Sequence, residues 1–486
     1  MSVQINPNTP VLGLSWNQST DTYSRRILRR DNNTFVEPAY NVPRLSTMDD
    51  AFLPIQRNMK GCVLNDSGVV VYYLDSSDWT KKADGTASDL TGTDGQVMVE
   101  IPKFYTSHSF ASDTHTWDIS STSTLGFELH PAFVKDGSEV NYRYIGAYEG
   151  ILYDTSATKY TNGIHQLAFT GSFTSSSKSI ANTTMTNPFD ALEVGDKFTV
   201  TGTTSNNSTF TVATTGSQTI IVTEAIADET SNNTVLSSQR DYTATTGDKL
   251  SSVSGKVPIT QLTRANARQL AKNRGSGWRQ LDYDLVNALE LLVLIEYGTF
   301  YIQSIADLGP GITNVSNWPA YNNYNSFVPA GNGNSIGNAS GDNAGSTSAA
   351  TEKTKYSKYR GIENFYGHIW KFIDGININA NVPYVTNNST VWADDTSTNY
   401  VNTGVTLANA NGYQMTLVNS GRVMLPATVG GAAGTYITDY YYQSTSWRIA
   451  LFGGHACDGA YCGCWFWLLD GSAGYSLRGI GSRLAF

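Results

Sequence analysis

The sequence predicts an α+β fold in which strands dominate, and three observations carry that expectation. Along most of the chain, apolar residues alternate with polar ones in short runs bounded by turn residues. A helical period shows in one stretch, residues 264–297. Between 166 and 239 Ser, Thr and Asn take over and only the two-residue alternation remains, as expected of a small all-β module.

Composition sets the class. Of 486 residues 40% are hydrophobic, enough for real cores, while 15% are charged against about 25% in an average globular protein. Ser, Thr, Asn and Gly supply the polarity instead, as expected of an extracellular or virion β-protein rich in loops. There are 28 Tyr and 10 Trp. These side chains pair large contact area with a polar handle, which suits exposed binding surfaces and core packing alike. The net charge of −9, with no basic stripe, argues against nucleic-acid binding. No apolar run approaches a membrane span, so no membrane insertion is expected. Residues 1–6 lack a basic and then apolar leader. The expected route is synthesis in a host cytoplasm and release with a particle. Cys62, Cys457, Cys462 and Cys464 are too few for a disulfide framework, and C-x4-C-x-C is no zinc spacing, so free thiols are expected.

The elements follow in order. Residues 1–94 read as short strands, with a hairpin in which the turn NDSG at 65–68 joins CVL to VVVYYL. Asp84-Gly85 and Asp94-Gly95 mark further turns. Residues 96–105 (QVMVEIPKFY) form a strand ending near Pro102, and aromatics alternate in a half-buried strand at 142–149. In 166–239 the runs FTV at 198–200, FTV at 210–212 and TIIVT at 219–223 predict a small inserted β-sandwich or barrel. Thr263 caps a helix over 264–274 that stops at Gly275, and Asp282 caps a second over 283–297 closed by Gly298. Leu285, Ala288, Leu289, Leu292 and Ile295 give the second helix a core stripe, leaving Glu290 and Glu296 as solvated or capped carboxylates. Residues 326–353, nearly all Gly, Asn, Ser and Ala, predict a long mobile loop. Aromatic-rich strands return from 354 to the end.

A family resemblance builds along this order. The strand 96–105 comes first, then the helix pair with Arg264, Arg268 and Gly277-Trp278. Next comes 363–374 (ENFYGHIWKFID), and the chain closes on 448–454 (RIALFGG) and 480–483 (IGSR). In sequence these resemble the formylglycine-generating-enzyme-like branch of the C-type-lectin fold. With 438–442 (TDYYY) the wording is similar to phage tail proteins and to variable proteins of diversity-generating retroelements. The insertion, with VGD at 194–196 and SNN at 205–207, resembles a small β-module of phage structural proteins. The resemblance implies a C-type-lectin-like domain over 95–165 and 240–486, interrupted by the module at 166–239 and preceded by a β-rich docking region at 1–94. It also implies a C-terminal binding surface whose side chains are exchanged on a fixed backbone, no calcium site, and a homotrimer, because related tropism proteins are trimers.

Enzymatic members of that branch use cysteine pairs and a metal, so Cys457, Cys462 and Cys464 need weighing. Sulfurs at C-x-C share a strand face, yet they lie among Tyr461, Trp465, Phe466 and Trp467 and read as incidental thiols. His108, His115, His130, His165, His368 and His455 are scattered, and neither a nucleophile elbow nor a phosphate loop occurs. Glycosidase chemistry needs two carboxylates across a cleft, but no β-helix repeat is present to carry them. Asp439, Asp458 and Asp470 lack a calcium-loop spacing. No catalytic residue, metal or cofactor is expected, and the chain is read as a non-enzyme.

Residues 461–469 alternate. Tyr461, Gly463, Trp465 and Trp467 share one face and Cys462, Cys464, Phe466 and Leu468 the other. The expectation is that Trp465 and Trp467 are presented to a ligand, ringed by His455, Asp458, Tyr461, Asp470, Tyr475 and Arg478. The alternative is that both indoles pack in the core or on a neighbouring subunit. The leading functional expectation is a virion adhesin of tail-fibre type. Its partners are a host-cell surface receptor, protein or glycan, and other virion proteins through residues 1–94. A purely structural tail, collar or capsid part is the competing one, followed by an enzyme acting on a surface polymer.

Overall fold

Short strands leave unpaired backbone groups on both edges, so each needs neighbours from elsewhere in the chain. A computed structural model shows how they are found. It describes residues 11–31, 34–36, 53, 55–124, 126–163, 165–185, 188–189, 192–238, 242, 247–305, 307–313, 328–343 and 354–486.

Three sheets of six or more strands make up the body. The first sets the hairpin Val11–Asn17 and Thr22–Asp31 against Thr114–Ser120 and Tyr105–Ala111. The second runs Arg279–Gln280, Leu484–Ala485, Tyr142–Gly146, Gln96–Pro102, Lys60–Leu64, Val70–Tyr73. The third is centred on Trp370–Asn379 and Arg448–Phe452, followed by Trp467–Leu469, Ile437–Gln443 and Gly412–Leu417. The segment 165–238 forms a closed six-stranded barrel in which Phe173, Ile180, Phe198, Phe210, Ile220 and Leu236 fill a core of their own. Val11–Asn17 pairs with Thr114–Ser120 and Lys60–Leu64 with Gln96–Pro102, so strands from the two sides of residue 94 share sheets.

The expected α+β, C-type-lectin-like class does not hold. Strand makes up about 40% of the chain and helix about 10%. Two α-helices occur among the described residues, α1 at Arg264–Lys272 and α2 at Tyr283–Tyr297. They form no layer of their own. All fifteen residues of α2 are buried, so it serves as core filling for the sheets around it. Its caps are those expected: Asp282 Oδ1 accepts from Leu285 N at 3.0 Å, and Gly298 ends it in the left-handed region. A helix buried all round has no solvated side, so Glu290 and Glu296 are not solvated as expected. Glu290 accepts from Trp467 Nε1 at 3.0 Å, while Glu296 pairs with Arg360 and Tyr359. Likewise 328–343, expected within a mobile loop, is fastened. Gly331 and Gly333 each donate to Glu363 at 2.8 Å, and Asn338 Oδ1 accepts from Gly61 N and Trp79 Nε1. The rest of that loop lies outside the described residues.

Buried charge holds the elements together. Between Ile373 and Asn377 the central strand slips register, which frees carbonyls from the ladder. Arg264 Nη1 donates to those of Ile373 and Ile376 at 3.1 and 2.9 Å. One turn on, Arg268 grips Asp374 through Nε and Nη2 at 2.9 and 2.6 Å, and Asp394 accepts from both arginines. Arg143 bridges Asp282 at 2.5 Å to the carbonyls of Ala132 and Phe486, joining the α2 start to the chain end. Arg483 donates to the carbonyls of Gly146, Glu363 and Asn364.

Removing one partner of a buried pair leaves the other charge uncompensated. Asp374→Ala is therefore expected to lower the unfolding free energy by about 3–5 kcal/mol, read by urea titration. A loss no larger than that of an exposed carboxylate would show that the cluster does not brace the fold.

Candidate ligand-binding face

The strand Ile437–Gln443 sorts its side chains by parity. Ile437, Asp439 and Tyr441 face the core, while Tyr440 and Tyr442 stand on the outer side, half-buried. Register then adds neighbours. Tyr413 lies opposite Tyr440, and Leu468 opposite Tyr442. Tyr461 arrives from the short turn Gly459–Tyr461 and stacks on Tyr440 at 4.4 Å and 30°. Tyr440 also meets Tyr413 at 5.2 Å and Tyr442 at 4.8 Å, so four half-buried tyrosines form one surface.

Beside them is a hollow of about 240 Å³ between Tyr442, His455, Asp458, Asp470, Tyr475 and Leu477. The chain reaches it through Gly453 and Gly454, both in the left-handed region. A Cβ at Gly454 would lie 2.2 Å from Cys462 Sγ, so no larger residue fits this turn. His455 Nδ1 sits 2.9 Å from Asp458 Oδ2, which also accepts from the His455 backbone N–H at 2.8 Å. Burial of the ring works against its charge. The hydrogen bond and negative charge of Asp458, with a contribution from Cys457, outweigh that and hold the imidazole up at about 9, so the ring is protonated at neutral pH. Burial raises the Asp470 carboxyl and pushes the Tyr442 hydroxyl up to about 12.

Of the eight residues expected from sequence, His455, Asp458, Asp470 and Tyr475 meet in this hollow, and Tyr461 joins the tyrosine surface. Arg478 is buried. Trp465 and Trp467 are fully buried in the core and are not presented to a ligand. The expected long strand is absent here: only Trp467–Leu469 is extended, so parity from Tyr461 does not carry through. Trp465 N donates to Asp439 at 2.8 Å and its ring meets Phe300 edge-on at 4.8 Å. Tyr413, Tyr440, Tyr442 and Leu477 were missed. The signal for two of them was in TDYYY, whose alternate tyrosines must share a face if that run is a strand.

Asp439 does not join Asp458 and Asp470 at the hollow and lies beneath the face, among core residues. Among the described residues no three His, Cys, Asp or Glu side chains converge to hold a metal ion. Cys62, Cys462 and Cys464 are buried free thiols. Cys457 is exposed, with Sγ 3.7 Å from His455 Nδ1. No described helix is long and apolar enough to cross a membrane.

Burial raises the Asp439 carboxyl from 3.8 to about 8, against the lowering effect of its Trp465 hydrogen bond. The fold thus favours the protonated form. The stability this contributes is complete below about 3.8 and is lost as pH rises through about 8. Asp439→Asn keeps the acceptor for Trp465 and removes the titration. The variant is expected to lose less stability than wild type between about pH 4 and pH 8, measured as melting temperature. An unchanged slope would mean Asp439 is ionised in the fold.

Comparison with known proteins adds little. No protein-family model matches the chain, and no curated protein does. Among solved structures it is similar to the Major Tropism Determinant P3c variant, at 12% identity and a TM-score of 0.22, over 95% of this chain and 91% of that one. It is also similar to the U1 variant, at 10% identity with the same TM-score and coverage. At that level the likeness fixes neither fold nor role.

Proposed function

We propose that the protein is a non-enzymatic virion adhesin, of phage-tail type, that binds a host-cell surface receptor through the tyrosine face and its adjoining hollow. The observation carrying this reading is the contiguous set Tyr413, Tyr440, Tyr442 and Tyr461, each half-buried, with Tyr440, Tyr442 and Tyr461 resting on a core that includes Phe466. Tyrosine offers wide contact area and a hydroxyl while ordering few torsions, so such a set supports binding at low entropic cost. The hollow beside it adds the His455–Asp458 pair and the exposed Leu477, an apolar centre with a polar edge. Low charge and high Ser, Thr and Asn content fit a particle surface.

The same arrangement suits exchange of binding residues by a retroelement. Tyr440 and Tyr442 leave a backbone fixed from beneath by Tyr441 and by Asp439 with Trp465, so replacing the outer side chains leaves that scaffold standing.

Removing residues 447–486 would strip strands from the middle of the third sheet, so point variants are the sharper test. Purified wild type is expected to bind intact cells of at least one strain in a bacterial panel. Tyr440→Ala with Tyr461→Ala is expected to weaken that binding about 30-fold, with melting temperature nearly unchanged. Equal binding by the double variant would move the receptor site elsewhere. Wild type that assembles onto particles yet binds no cells would make this face a packing surface and end the adhesin reading.

A further inference from the structure

A second cavity lies away from the tyrosine face. It is an open cleft of about 840 Å³, and it shares no residue with that face. It is lined by the turn 91–95, by Tyr153 and Tyr160, and by Asp66, Lys249 and Arg274. A volume of this size takes several monosaccharide units or a drug-sized ligand.

The walls are set before any ligand arrives. Arg274, almost wholly buried, donates to Asp66 at 2.6 Å, to the Leu250 carbonyl at 2.8 Å and to Ser251 Oγ at 2.5 Å. Lys249 reaches the other Asp66 oxygen at 2.9 Å. The Tyr160 hydroxyl donates to the Gly92 carbonyl and accepts from Gln96, both at 3.2 Å, and its ring holds Tyr153 edge-on at 4.9 Å. Asp89 Oδ1 accepts from the backbone of Thr91, Gly92 and Thr93, which fixes the turn.

The chemistry is that of a polyol site. Every cation here has a carboxylate: Asp66 serves Arg274 and Lys249, Glu193 serves Lys256 and Lys159, and Asp94 adds a third acid, so four cations meet three carboxylates. A cleft made for a highly charged ligand would leave cations unmatched. What remains is a dense mixture of donors and acceptors beside a half-buried tyrosine ring, which matches the hydroxyls and the C–H faces of a sugar chain.

We infer that this cleft binds an oligosaccharide, with Tyr153 stacking on one sugar ring and Asp66 and Lys249 hydrogen-bonding its hydroxyls. The site is independent of the tyrosine face and stands whether or not that face binds a receptor.

The test is titration of the full chain with fluorescently labelled hexose tetramers and hexuronic-acid tetramers, with an octathymidylate and a tetrapeptide as controls. At least one sugar is expected to bind saturably in the millimolar range or tighter, more strongly than both controls. Tyr153→Ala is expected to weaken it about tenfold without shifting the melting temperature. Tyr440→Ala is expected to leave it unchanged, which separates this site from the tyrosine face. If Tyr153→Ala loses stability, Lys249→Ala serves in its place, since Lys249 is a half-buried side chain at the rim. No binding of either sugar, equal binding by the cleft variants, or stronger binding of a control each overturns the inference.

Discussion

The buried cluster of Arg264, Arg268, Asp374 and Asp394 is the constraint on which the rest of the structure depends. It sits where the central strand of the third sheet slips register, and Arg264 donates to carbonyls that the ladder leaves free. Pairs of this kind gain little net energy over a well-packed apolar core, because desolvation consumes most of the Coulombic attraction. What they provide is geometric: an uncompensated buried charge is so costly that only the arrangement pairing it is tolerated. A chain with 15% charged residues that places this many inside spends its charge on specifying how remote segments meet.

The same logic recurs around α2. Asp282 caps the helix and holds Arg143, which in turn holds the chain end. Glu290 at the helix middle takes the Trp467 indole, and Asp439 takes the Trp465 backbone. The two indoles most conspicuous in the C-terminal sequence are thereby committed to the core. Their commitment stiffens the sheet from below, and the outer tyrosines stand on that support. Tyr440 and Tyr442 on one side and Asp439 and Tyr441 on the other belong to one strand, separated by a single step of parity.

The barrel at 165–238 and the cleft beside the turn 91–95 show a different economy. The barrel closes on itself and has its own core, so it places few demands on the body. Where the chain enters and leaves it, Glu193 of the module reaches Lys159 and Lys256 of the body. The cleft lies against those lysines, at a junction where polar side chains from several segments must find partners.

The sequence by itself determined the elements whose causes are local. Thr263 and Asp282 as helix caps, Gly298 as a stop, the NDSG hairpin turn and the strict alternation of the inserted module were all legible, because a capping oxygen, a left-handed glycine or a two-residue period acts within a few residues. Fold class and site were decided by tertiary structure. Two well-marked helices suggested an α+β layer, but nothing local says that α2 is sealed on every side and that sheets own the architecture. The run 461–469 looked like one alternating strand, yet a turn closed by Phe466 N on the Gly463 carbonyl breaks its parity, so Tyr461 is half-buried while Trp465 and Trp467 face in. Which aromatic is core and which is surface depends on what lies beneath it. Here that is Phe300, Glu290 and Asp439, residues that only folding brings within reach.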